Sequence, residues 1–144
     1  MGERVNLEKH LDFIQQNINR MTTNSFSIKG WLIAIITAGF IFTSKDYSQY
    51  LILSSCILVV GFALLDATYL QNERKFRELY NLIINDENME IFKEFDMNIN
   101  HETIVSNKKT NYFRCLFSRS IIIPYTVILL YNAALFIFSI VNCK

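Results

Sequence analysis

One carboxylate stands in an otherwise apolar stretch of the sequence. Asp66 is the only acidic residue between Tyr50 and Leu70. Burying a carboxylate in a membrane span is costly unless a counter-charge or water compensates it, so such a residue is a candidate for function. Asp66 can supply a fixed negative charge that pairs with a cation, lines a hydrated path or bonds across subunits.

A single cation stands in a second apolar stretch. Lys29 is the only charged residue in 26–43, and Trp31 follows it as an aromatic residue of the type that lies at membrane interfaces. If the two stretches are antiparallel helices, Lys29 and Asp66 lie at the same end and can form an ion pair. Together with Trp31 and Arg74 they form a predicted membrane-boundary set, which either acts as a gate or only fixes the helix register.

The other reactive side chains form no catalytic or metal-binding pattern. His10 and His101 are far apart and are predicted to be solvated, and Cys56, Cys115 and Cys143 lack the spacing of a metal or redox site. No phosphate-binding loop, GxSxG or HExxH motif is present. We therefore predict no enzymatic activity, no cofactor and no metal.

Three apolar blocks organise the chain. The sequence is 51% hydrophobic, and its apolar residues concentrate in 26–43, 50–70 and 120–141. Each block is close to the roughly 20 residues that cross a bilayer as a helix. Four glycines and one proline favour long helices. We predict an all-α membrane protein, a single membrane domain over 1–144 with three transmembrane helices. A net charge of +1 gives no reason to expect nucleic acid as a partner.

An amphipathic helix is predicted over 7–21, before the first span. Its apolar positions alternate steps of four and three, as in a coiled-coil seam: Leu7, Leu11, Ile14, Ile18 and Met21. This seam is too short to be stable alone, so it packs on a helix of the same chain, lies on the membrane surface or contacts a second subunit. Thr22 to Ser25 have the residue types of a turn or cap before the first span.

The second span is predicted to continue as a charged helix. Residues 71–118 then form a cytoplasmic helical region and loop, in which Asp86 caps a short helix bearing Met89, Phe92 and Phe95, and 97–113 contain one helical turn. The connector 44–49 is so short that it predicts an antiparallel hairpin of the first two spans.

Asn132 is the polar residue near the middle of the third span. Its amide is expected to face protein rather than lipid, either within the chain or across a subunit contact. The hydroxyls of Thr37, Ser54, Ser55 and Thr126 are expected to bond their own helix backbone.

The distribution of Lys and Arg predicts the topology. Basic residues concentrate before the first span and between the second and third, whereas Lys45 alone lies in the connector and Lys144 alone at the end. The positive-inside rule then places the N-terminus and the 71–118 region in the cytoplasm, and the connector and the C-terminus outside.

Two motifs carry a family resemblance. NSFSIKGW, from Asn24 to Trp31, and LDATYLQNERKFRELY, from Leu65 to Tyr80, resemble the NxFxxKGW and LDxxYLxxER motifs of a group of small bacterial inner-membrane proteins. The plan also looks like that of the SLATT membrane effectors of bacterial defence systems, which have two spans. This resemblance implies a protein that oligomerises and breaches the inner membrane when a sensor is triggered.

Two functions are therefore considered. The first is a homo-oligomeric effector that forms or gates a pore and depolarises the inner membrane in anti-phage defence, with lipid, copies of itself and a cytoplasmic sensor as partners. The alternative is a non-conducting scaffold that anchors a cytoplasmic partner through Leu7 to Met21 and Tyr69 to Ile83. A transporter would show an internal repeat and broken helices, and neither is evident.

Overall fold

The chain is helical throughout most of its length. The computed structural model describes residues 2–42, 48–85 and 96–142, and no strand occurs among them. In chain order the elements are α1 (Gly2–Phe42), α2 (Ser48–Asn85), α3 (Glu102–Val105), a 3-10 turn (Lys108–Thr110), α4 (Tyr112–Leu116) and α5 (Arg119–Asn142). The all-α prediction is confirmed for the described residues.

Helix α1 passes through the segment that was predicted to be a turn. Thr22 to Ser25 are helical, so that prediction is wrong. The segment contains neither Pro nor Gly, and the Thr22 hydroxyl donates to the Ile18 carbonyl oxygen at 3.0 Å instead of capping a new helix. The buried stripe of α1 continues beyond the segment, where it consists of Ile28, Leu32 and Ile36.

Among the described residues, two helical segments are long and apolar enough to cross a membrane, judged by length and composition. They are Tyr50–Asn85 and Arg119–Ile137. The first belongs to α2, which runs unbroken from the apolar stretch 50–70 into the charged residues that follow. Residues 26–42, the described part of the predicted first span, form the end of α1 and are not among these two segments.

The described structure divides into two compact units, and α1 and α2 contribute to both. The polar unit comprises Met1–Ser25 and Thr68–Cys115, and the apolar unit comprises Phe26–Ala67 and Leu116–Lys144. Each unit has its own set of buried side chains.

The polar unit is built around the amphipathic seam of α1. Its core consists of Ile14, Ile18, Phe76, Leu79, Ile83 and Ile104, with Leu7, Leu11, Met21 and Tyr80 among the partly buried residues packed against it. The seam therefore packs on the charged half of α2 within the same chain. Packing the two apolar stripes against each other removes both from water. This burial stabilises both helices, each of which would be only marginally stable by itself.

The segment after α2 contains more helix than the sequence predicted. The single turn expected within 97–113 is replaced by α3, the 3-10 turn and the first residues of α4. The Asn107 side chain accepts from the Lys109 backbone N–H at 3.0 Å, and the Thr110 hydroxyl donates to the Ile104 carbonyl oxygen at 2.7 Å. These local bonds fold the segment over the buried Ile104. The helix predicted to bear Met89, Phe92 and Phe95 and most of the connector 44–49 lie outside the described residues.

The apolar unit has a narrow buried stripe on each helix. The buried apolar residues are Ile28, Leu32, Ile36, Ile52, Val59, Ala67, Ile121 and Tyr125. Large apolar side chains on the opposite faces are exposed, among them Ile33, Ile57 and Leu130. A helix apolar on buried and exposed faces alike is typical of a membrane span.

Candidate functional site

Lys29 and Asp66 form an ion pair in the apolar unit. Lys29 Nζ on α1 lies 2.5 Å from Asp66 Oδ2 on α2. The Asp66 side chain is 0% exposed and the Lys29 side chain is 20% exposed. The two charges that the sequence singled out are therefore in direct contact.

The burial of this pair determines its electrostatics. A carboxylate taken out of water loses its hydration, and a counter-charge must replace it. Removing one member of such a pair leaves an uncompensated buried charge, at a cost of about 3–5 kcal/mol. The pair thus holds α1 against α2 at this level, and separating the charges requires water or another partner.

Tyr125 on α5 lies beside the same site. Its hydroxyl donates to the Phe62 carbonyl oxygen at 3.2 Å, and Phe62 is one turn before Asp66 on α2. The Asp66 carboxylate is also close enough to interact electrostatically with the Tyr125 hydroxyl. Tyr125 is 4% exposed, so α5 joins α1 and α2 in forming a largely buried polar site.

Ser55 and Asn132 form a second polar contact between α2 and α5. Ser55 Oγ lies 2.6 Å from Asn132 Oδ1 and 2.7 Å from the Ile52 carbonyl oxygen, so its proton is shared between two acceptors. The Asn132 amide donates to the Ile128 carbonyl oxygen at 2.9 Å. Both side chains are buried, and neither polar group faces the exposed apolar surface.

The two contacts between α2 and α5 define an antiparallel register. Phe62 is seven residues after Ser55 on α2. Its partner Tyr125 is seven residues before Asn132, the partner of Ser55, on α5. Seven residues are two turns of helix, so each pair lies on one facing stripe. Ser55 and Tyr125 were not singled out from the sequence, although their spacing from Asp66 and Asn132 on the same helix faces was a usable signal.

The other members of the predicted boundary set are Trp31 and Arg74. The Trp31 side chain is 64% exposed. Arg74 belongs to the polar unit, where its Nη1 donates to the Lys109 carbonyl oxygen at 3.3 Å. Of the four residues Lys29, Trp31, Asp66 and Arg74, Lys29 and Asp66 are in direct contact.

The predicted helix-contact residues lie inside the chain's own units. Leu7, Leu11, Ile14 and Ile18 pack in the polar unit, with Ile14 fully buried. Asn132 is fully buried in the apolar unit against Ser55. All five therefore make contacts between helices of one chain.

The prediction that His10 is solvated is wrong. His10 is 4% exposed, and its Nε2 donates to the Asp96 carbonyl oxygen at 3.0 Å. It comes three residues after Leu7 and four before Ile14, which places it on the face of the seam. His101 is partly exposed, and its Nδ1 contacts the Thr103 hydroxyl at 2.9 Å.

The buried thiol of the polar unit is not arranged as a nucleophile. Burial raises the pKa of the Cys115 thiol, and nearby Arg74 only partly opposes this shift. A thiol that stays protonated is a poor nucleophile. Within the described residues, no group of three or more His, Cys, Asp or Glu side chains could hold a metal ion.

Comparison with known proteins gives no assignment. No protein-family model matches the chain, and no curated protein or solved structure is significantly similar to it. The resemblance carried by the two sequence motifs therefore stays a prediction.

Proposed function

We propose that the chain is a homo-oligomeric effector of the bacterial inner membrane, which forms or gates a pore and depolarises the cell in defence against phage. Its three spans are 26–43, 50–70 and 120–141, with the polar unit in the cytoplasm. The observation that carries the proposal is the Lys29–Asp66 ion pair in the apolar unit, whose carboxylate is fully buried. Charges within membrane spans are rare and commonly belong to ion pathways.

In this proposal the Lys29–Asp66 ion pair keeps the pore closed, and we call the pair the latch. While Lys29 holds Asp66, the apolar unit contains compensated charges and no path for ions. Separating α1 from α2 exposes a carboxylate and an ammonium that must both be hydrated, since each is too costly to leave dry. The hydrated charges then line the open path.

Oligomerisation is part of the proposal because three helices cannot enclose a wide aqueous path. The exposed apolar faces supply surface for lipid and for neighbouring copies, with Ile33, Ile57 and Leu130 as representatives. Helices in lipid associate through packing and polar contacts rather than through the hydrophobic effect. A cytoplasmic sensor protein would supply the trigger.

The alternative function, a non-conducting scaffold, receives less support from the packing of the polar unit. A scaffold would have to bind its cytoplasmic partner through the faces Leu7 to Met21 and Tyr69 to Ile83. Those faces contain Ile14, Ile18 and Leu79, which pack against each other in the core. A partner would have to displace one helix from the other before it could bind.

The proposal is tested by removing either charge and following the membrane potential of expressing cells. Lys29→Met leaves Asp66, which is fully buried, without its counter-charge, whereas Asp66→Asn leaves the partly exposed Lys29. Both variants should depolarise cells more than the wild type does at equal expression, and Lys29→Met should have the larger effect.

The matched control is Lys108→Met, the same chemical change at an exposed position of the 3-10 turn. This control should leave the membrane potential as in the wild type. If all three variants behave like the wild type in a voltage-sensitive dye assay, the ion pair is not a latch.

A further inference from the structure

A groove on the polar unit is lined mainly by cationic side chains. Its volume is about 400 Å³, and its walls are formed by Arg74, Arg77, Glu78, Asn81, Lys109 and Arg114. All of these residues belong to the polar unit. None of them is a member of the Lys29–Asp66 ion pair.

Three elements bring the cations together. Arg74, Arg77 and Asn81 lie three and four residues apart on α2, which places them on one helix face. The 3-10 turn contributes Lys109, and α4 contributes Arg114. Residues separated by some 30 positions of sequence therefore converge on one concave surface.

Hydrogen bonds fix two of the three arginines of the groove. Arg74 Nη1 donates to the Lys109 carbonyl oxygen at 3.3 Å, which ties α2 to the 3-10 turn. Arg77 Nε donates to Glu73 Oε1 at 2.8 Å. This bond uses one of the five N–H donors of a guanidinium group, so Arg77 retains donors for a ligand.

The charges at the groove are not balanced. Glu78 is the only carboxylate among its described lining residues, and its Oε1 already accepts from the Asn107 amide at 2.7 Å. Four formal positive charges against Glu78 and the Glu73 carboxylate that pairs with Arg77 leave an excess of two. Such an excess within a small concave surface attracts anions.

We propose that this groove is a binding site for a phosphate group. Guanidinium groups match the geometry of phosphate oxygens, and a lysine adds a compact charge. Asn81 adds an amide donor that needs no charge. The phosphate belongs either to the headgroup of an anionic lipid or to a soluble phosphorylated molecule. The proposal concerns the polar unit alone and does not depend on pore formation.

The test uses the full chain in nanodiscs with two probes. In the first arm the discs contain only phosphatidylcholine, and inorganic pyrophosphate is titrated as the soluble probe. In the second arm no soluble phosphate is present, and the bound lipid is measured after mixing phosphatidylglycerol with phosphatidylcholine in equal amounts. Binding that depends on the groove in the first arm identifies a soluble ligand, and such dependence in the second arm identifies a lipid.

The variant to compare is Lys109→Glu with Arg114→Glu, and its control is Lys108→Glu with Arg20→Glu. The two double variants change the net charge equally, and neither Lys108 nor Arg20 lines the groove. We call Lys109→Glu with Arg114→Glu the groove variant. We expect it to weaken binding in at least one arm by about tenfold or more, whereas binding by the control should stay within about twofold of the wild type.

Two results would overturn the proposal. One is that wild type and groove variant bind equally in both arms, including the case in which neither binds. The other is that the control weakens binding as much as the groove variant, since the effect would then belong to net charge and not to the groove. A helical circular dichroism spectrum matching that of the wild type verifies that each variant is folded.

Discussion

Ser55 on α2 and Asn132 on α5 are joined side chain to side chain at 2.6 Å, with Asn132 fully buried. Polar bonds between membrane helices contribute about 1 kcal/mol and fix which faces meet. Together with the Tyr125–Phe62 bond two turns away, this contact specifies one antiparallel register for α2 and α5.

A double-mutant cycle should detect the Ser55–Asn132 bond. Ser55→Ala and Asn132→Ala should show a coupling free energy of about 1 kcal/mol in the unfolding of the purified protein from mixed micelles. Ser54→Ala is the matched control, because the Ser54 hydroxyl bonds the Leu51 carbonyl oxygen of its own helix at 2.8 Å. Equal coupling of Asn132 to both serines would show that the bond does not contribute.

The core of the polar unit should depend on Ile14. Ile14→Ala removes a fully buried side chain and leaves a cavity against Leu79, so the free energy of unfolding should fall by about 2–5 kcal/mol. Phe13→Ala, at a neighbouring position that is 50% exposed, should cost clearly less. Thermal unfolding followed by circular dichroism compares the two, and an equal loss would contradict the packing described for α1.

The buried thiol should make stability depend on alkaline pH. Burial raises the pKa of Cys115 above its ordinary value of 9.0, so the folded protein retains the thiol proton more strongly than the unfolded chain does. The resulting stabilisation is complete below pH 9.0 and is lost as the pH rises through the folded-state pKa. The difference in melting temperature between wild type and Cys115→Ala should therefore shrink from about pH 8 to pH 10. A difference that stays constant or grows over this range would contradict the assigned shift.

The proposed topology places the polar unit inside the cell and Lys144 outside. A phosphatase that is active only in the periplasm should be active when fused after Lys144 and inactive when fused after Asn107. A fluorescent protein that folds only in the cytoplasm should give the reverse pattern. Activity of the phosphatase at both sites, or at neither, would contradict an arrangement of three spans.

The sequence predicted the features that depend on local periodicity. The alternating steps of four and three from Leu7 to Met21 identified the buried stripe of α1, because helical spacing alone determines a face. Which surface covers that stripe depends on tertiary packing. The sequence therefore did not distinguish a helix of the same chain, the membrane surface and a second subunit, whereas the structure shows the stripe in a core with Leu79. The contact of Lys29 with Asp66 was predictable because each is the only charge in its apolar stretch.

The features that were missed depend on contacts distant in sequence. Thr22 and its neighbours have the residue types of a cap, but a hydroxyl can also be satisfied inside a helix, as that of Thr22 is, and α1 continues through them. A serine in a span can bond its own backbone, so the residue type alone did not reveal that Ser55 also bonds Asn132, although Ser55 shares a helix face with Asp66. A lone histidine such as His10 likewise gives no sign of the carbonyl oxygen that it binds across the fold.

The most direct test of the latch is to exchange its two charges. Potassium flux should be measured from liposomes containing equal amounts of wild type, Lys29→Asp, Asp66→Lys or the double variant. Each single variant places two like charges together, which should open the path and raise the flux by roughly tenfold or more, whereas the double variant restores the pair and should return the flux towards that of the wild type. Equal flux from all four proteins, or a double variant that leaks as much as the single ones, would contradict a gate built on Lys29 and Asp66.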